Sequence, residues 1–89
     1  MAQIIVSPKE QRIFARELEG LVRDVRQIER RLASEMEALG GTWKDVRYRS
    51  FARSVTTASV QLQIFYNSSL HYAEFLRRKA AAAERFLRT

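Results

Sequence analysis

The chain of 89 residues contains no cysteine, one histidine, one proline and three glycines. Each scarcity closes off a class of explanation. Without cysteine there is no disulfide staple and no thiolate ligand for a metal or cluster. A zinc site would have to be assembled from His71 and carboxylates. Proline occurs only at Pro8, and glycine only at Gly20, Gly40 and Gly41, which leaves room for one clear internal turn. No run of 18 apolar residues is present, so no segment reads as membrane-spanning. The opening Met1-Ala2-Gln3-Ile4-Ile5-Val6 lacks the basic region and long apolar stretch of a cleaved signal peptide. A chain of this length forms one domain at most, with a core small enough to need a partner or a staple.

What is present is helical patterning. Hydrophobic residues make up 46% of the chain, a composition that folds rather than stays disordered. Ser7-Pro8-Lys9-Glu10 reads as a helix start: Ser7 can accept from the free N–H of Glu10, and Pro8 stands at the first helical position, where its missing donor costs nothing. The pattern predicts an N-terminal arm over 1–7, a first helix over 8–39, a turn at 40–42 and a second helix over 43–88. In helix 1 the apolar seam runs Phe14, Leu18, Leu21, Val25, Ile28, Leu32, Met36, Leu39, a heptad alternation with one slip at Glu35/Met36. Ile13 and Val22 widen it. In helix 2 the seam runs Phe51, Val55, Ala58, Leu62, Phe65, Ser69, Tyr72, Leu76, Ala83, Phe86. Val60 to Tyr66 also alternates like a strand, but an isolated strand would have nothing to pair with. Between the helices, one of Gly40 and Gly41 is expected in the left-handed conformation that closes a helix. Thr42 is expected to cap the next one, with Asp45 in its first turn. The short link makes the helices antiparallel.

Charge is unevenly spread. Helix 1 carries seven basic and seven acidic residues, while residues 43–89 carry nine basic and three acidic, so the second half holds the whole net charge of +6. No formal charge occurs from Ser54 to Ala73. A solvated helix shows charge every few residues, so this gap predicts cover on more than one side. Helix 1 supplies one side, and a second chain is expected to supply the other. The fold expected is therefore an all-α antiparallel two-helix hairpin that pairs into a four-helix bundle dimer, with Phe51, Val55, Leu62, Phe65, Tyr66, Tyr72 and Leu76 at the interface.

These features resemble the WXG family, the small Esx/ESAT-like helical hairpins of type VII secretion. Ile5-Val6-Ser7-Pro8-Lys9-Glu10 is similar to that family's approach to its first helix. Leu39-Gly40-Gly41-Thr42-Trp43-Lys44-Asp45 stands where the family carries Trp-X-Gly, with Asp45 in place of that motif's glycine. Phe51 falls eight residues after Trp43, where the family has an aromatic. The Tyr-x-x-x-acid export pattern is not met: Tyr66 is followed by Leu70 and Tyr72 by Leu76, and little follows helix 2. The resemblance implies a non-enzymatic protein, a secreted factor or a targeting partner of a larger toxin. It implies a homodimer or a heterodimer with a related hairpin, a secretion ATPase or toxin cargo as further partner, and no cofactor. It also implies a cytoplasmic location before export and release without a cleaved signal peptide. The turn motif Gly40, Gly41, Trp43, Asp45 would mark the hairpin tip, with Trp43 lining a cleft between paired subunits.

Other candidates are weaker. Arg77, Arg78 and Lys79, with Arg85 and Arg88, form a basic cluster near a helix C-terminus, where cations also answer the helix dipole. It could face an acidic protein or release counterions from a nucleic acid. A nucleic-acid-associated basic hairpin is the alternative reading, although no recognition helix or stacking platform accompanies the charge. His71 has Glu74 three residues on, but no nucleophile or paired carboxylate joins them, so no catalytic or metal residue is assigned. Gln61, Gln63, Asn67, Ser68 and Ser69 form a polar band that would need partners if buried.

Overall fold

A computed structural model describes residues 7–43 and 45–88. The expected arm, including Ile5 and Val6, lies outside the described residues, as do Lys44 and Thr89. Among the described residues there are two helices: α1, Pro8–Gly40, and α2, Val46–Arg88. They pack side by side as an antiparallel hairpin with extents of 66 × 26 × 15 Å. Val60 to Tyr66 is helical, since a lone alternating stretch inside a 43-residue helix has no strand to join.

The helix start is as its residues dictate. Ser7 has extended backbone angles, its Oγ accepts from Glu10 N at 3.3 Å, and Pro8 occupies the first turn. The turn differs from expectation. Neither Gly40 nor Gly41 has a positive φ; Gly41 is right-handed at φ −68°. Instead, Leu39 O collects three donors: Thr42 N, Trp43 N and the Thr42 hydroxyl. Thr42 thus closes α1 rather than opening α2. Asp45 opens α2, its Oδ1 accepting from Tyr48 N at 2.7 Å. The charged side chain at that point satisfies an orphan N–H and also answers the positive end of the helix dipole. Gly40 is small for a packing reason. A Cβ there would sit 2.8 Å from Cζ of Tyr48, whose hydroxyl donates to Met36 O at 2.9 Å.

The seam between the helices lies one column away from the expected one. On α2 the inward residues are Ala52, Ser59, Tyr66, Ala73 and Ala80, together with Val55, Leu62, Ser69, Leu76 and Ala83. On α1 they are Ala15, Val22, Glu29 and Met36, together with Leu18 and Val25. Each set repeats every seven residues, which keeps it in register with a partner helix. The slip at Glu35/Met36 now has its explanation: Met36 belongs to the Ala15/Val22/Glu29 column. Phe14, Leu21 and Ile28 on α1, and Phe51, Ala58, Phe65, Tyr72 and Phe86 on α2, form a third column that stays exposed.

Small residues decide this choice. Ala15, Ala73 and Ala80 are fully buried, and Leu18 and Leu76 pack around the first two. Alanine at the contact lets the two helices pack closely over the half of the hairpin away from the tip, where Ala15 and Val22 meet Tyr66, Ala73 and Ala80. The resulting core is thin. Val22 and Tyr66 are the largest side chains wholly inside it, and one buried valine is worth only about 1.5–3 kcal/mol. Two ion pairs bridge the helices along the opposite edge: Arg12 to Glu84 at 2.6 Å, and Arg77 through both Nη atoms to Glu19. Glu19 therefore pairs across the hairpin rather than with Arg23 on its own helix. Both pairs are part-exposed and contribute little on their own.

Candidate interaction surfaces

Three surfaces emerge from this packing. The first is apolar and runs down one side of the hairpin. Phe14 meets Tyr72 edge to face, ring centroids 6.4 Å apart, and Tyr72 stacks on Phe75 at 5.9 Å. Further along, Val25, Ile28 and Leu32 face Val55, Ala58 and Leu62 across a cleft of about 150 Å³. Near the open end, Gln11, Phe75, Ala82 and Ala83 line a second groove, and the buried Oε1 of Gln11 has no hydrogen-bond partner. Phe51, Phe65 and Tyr72 are 55%, 39% and 50% exposed. Of the residues expected at an interface between chains, these three lie on this surface. Val55 and Leu62 are half-buried at its floor, while Tyr66 and Leu76 are already buried against α1. The last two serve the hairpin's own seam, because the inward column is the one containing Tyr66.

The second surface is the tip. Trp43 is 62% exposed and its indole Nε1 donates to Asp45 Oδ2 at 3.0 Å. Asp45 thus uses one oxygen for the indole and the other for the start of α2. Those donors, Tyr48 N first, hold its carboxyl below the usual range. An aspartate in the third motif position therefore ties the tryptophan to the helix end, which a glycine could not do. With so little of the ring covered, Trp43→Ala is expected to cost below about 1 kcal/mol, read as a near-unchanged thermal midpoint. A loss of several kcal/mol would mean that the ring closes the core.

The third surface is cationic and lies opposite the apolar one. Sequence adjacency misleads at Arg77-Arg78-Lys79, because successive residues point 100° apart on a helix. Arg77 reaches α1. Arg78 lies on Glu74 at 3.4 Å, and Lys79 sits 5.6 Å from the Phe75 ring centroid on the apolar side. The three do not form one patch. Glu74 is engaged by Arg78 rather than by His71. The concentrated charge is instead on α1, where Arg23, Arg26, Arg30 and Gln27 line a groove with Val22 and Leu70. Arg26 lies over the Tyr66 ring at 4.8 Å.

Beneath this surface sits a group that pattern reading passed over. Glu29 occupies the inward column of α1 and accepts from the Tyr66 hydroxyl at 2.7 Å. Hydrogen bonds from Ser59 and Tyr66 hold its carboxyl below the usual range. Burial, reinforced by Glu29, pushes the Tyr66 phenol up. A glutamate inside an apolar column fixes the register of the two helices. The signal was available, since Ala15, Val22, Glu29 and Met36 recur every seven residues. The expected polar band is mostly outside: of Gln61, Gln63, Asn67, Ser68 and Ser69, only Ser69 is buried. Further up α2, Ser54, Thr56 and Thr57 donate back to the carbonyls four residues earlier. Hydroxyls satisfied on their own helix tolerate either environment.

Among the described residues, no helix is long and apolar enough to cross a membrane, and no three His, Asp or Glu side chains are grouped to hold a metal ion. No protein-family model, curated protein or solved structure matches the chain.

Proposed function

We propose that the chain is a non-enzymatic, Esx-like component of type VII secretion, a secreted factor or a targeting partner of a larger toxin. In this reading it works by pairing with a second hairpin through its apolar side. The observation that carries the reading is the exposed third column, Phe14, Leu21 and Ile28 beside Phe51, Phe65 and Tyr72. The accessible surface of the single chain is 7503 Å². A compact monomer of this mass exposes about 5,400 Å². The excess, about 2,100 Å² on one chain, is more than twice the roughly 800 Å² that each partner buries in a standard interface. Large exposed apolar patches mark interaction sites. The occupant of this side is a hairpin of the same kind, so that four helices enclose one core. The likeness of the Ser7-Pro8 and Trp43-Lys44-Asp45 segments to the WXG family supports the secretion role.

The test is the mass in solution and the company kept. Sedimentation at about 10 μM should give at least two hairpins per particle, with a melting temperature that rises with concentration. Co-expression with the neighbouring gene's product should show whether the second hairpin is this chain or a relative. A single 10.4 kDa species with a concentration-independent melt, alone and with that product, would sink the reading.

A further inference from the structure

One groove lies on the side of the hairpin opposite Phe51 and Phe65. Its volume is about 280 Å³. Arg23, Arg26 and Arg30 follow one another at three and four residues, so their side chains share one face of α1. Among the described residues, neither Arg23 nor Arg30 forms an ion pair. Glu19, the acid in the lining, is taken up by both Nη atoms of Arg77. Leu70 lines its edge from α2. Gln63 and Asn67, on the same side of α2, hydrogen-bond each other at 3.5 Å.

We propose that this groove binds an acidic amphipathic helix of a partner protein, with carboxylates three and four residues apart meeting Arg23, Arg26 and Arg30. Four features specify that chemistry. Guanidinium groups present a fork that matches a carboxylate in two parallel hydrogen bonds. The lining is almost entirely one face of α1, with Leu70 of α2 at its edge, and the side-chain ridges of such a face receive a third helix. Leu70, half-buried at the edge of the groove, is apolar and suits a leucine or alanine, for which a phosphate backbone has no counterpart. Finally, the aromatic ring beside the groove among the described residues, Tyr66, is buried and covered by Arg26 and offers no platform on which a base could stack. The site lies away from the apolar side, so it stands or falls independently of pairing.

The experiment uses a synthetic helical peptide of about 18 residues, with glutamates three and four apart on one face and leucines beside them. Its binding to the intact chain is followed by fluorescence anisotropy at low and high salt. A peptide with glutamine for glutamate and a duplex DNA of about 20 base pairs serve as the comparison ligands. The acidic peptide is expected to bind, more weakly as salt rises, and the glutamine peptide to bind at least about tenfold less tightly. Arg23→Gln/Arg30→Gln should weaken binding by at least about tenfold, while Arg49→Gln/Arg53→Gln, outside the groove, should change it less than about threefold. Both double variants alter exposed side chains without ion pairs, and circular dichroism checks that they fold. The inference is overturned if the acidic peptide fails to bind. It is equally overturned if the Arg49/Arg53 variant loses as much as the groove variant, or if the duplex binds more tightly than the peptide.

Discussion

Phe51→Asp/Phe65→Asp is expected to abolish association while leaving the single hairpin helical. Both rings lie on the exposed third column of α2, so neither contributes to the seam with α1. In a paired hairpin each ring would be buried, and each is worth about 1.5–3 kcal/mol. The introduced carboxylates add a desolvation cost with no cation opposite them. Together the changes should weaken pairing by about a thousandfold or more. In sedimentation, the variant should run as one chain at concentrations where the parent runs as two or more. A variant that still associates would move the interface to another face, with Val60 and Ile64 on the outer side of α2 as the next exposed apolar residues. The same substitution separates pairing from peptide capture, because the arginine groove is on the far side of the hairpin.

The second large effect is expected from Ala73→Leu. Ala73 has no exposed surface and packs with Ala15 and Leu76 in the core between the helices. Three added carbons have nowhere to go without pushing α1 away, and such overpacking costs about 1–3 kcal/mol or more. In a hairpin whose core is mostly alanine, that is a large share of the total, and thermal unfolding should fall by roughly 4–8 °C per kcal/mol. The same change at Ala58, in the exposed column beside the Val25–Leu62 cleft, is expected to be neutral or stabilising. If Ala73→Leu is neutral and Ala58→Leu disruptive, the inward column is the one through Phe51, Ala58 and Phe65, and the seam described above is wrong.

This contrast shows where pattern reading stops. On α2, Val55, Leu62, Ser69, Leu76 and Ala83 were identified as a seam column, and they face α1. Their companions on one side are Phe51, Ala58, Phe65 and Tyr72; on the other they are Ala52, Ser59, Tyr66, Ala73 and Ala80. Both choices keep a perfect seven-residue repeat. Hydrophobic weight favours the first, yet the second faces α1, because alanines permit an approach that phenylalanines prevent. A period can say how often a column recurs, but not which of two adjacent columns meets which partner. The basic cluster failed for a related reason: Arg77, Arg78 and Lys79 are neighbours in the chain but diverge by 100° per residue, whereas Arg23, Arg26 and Arg30 converge.

The local chemistry of Ser7, Pro8 and the Gly40-Gly41 break determined by itself that two long helices form and that they turn back on each other. Capping hydrogen bonds, a fixed proline φ and the absence of other breakers are properties of short segments, and they act before any tertiary contact exists. Which faces those helices share was decided only by the tertiary structure. Glu29 taken up by Tyr66 and Glu19 claimed by Arg77 join residues 37 and 58 positions apart in the chain. Their geometry depends on the distance between helix axes, which the buried alanines set and which no local pattern encodes.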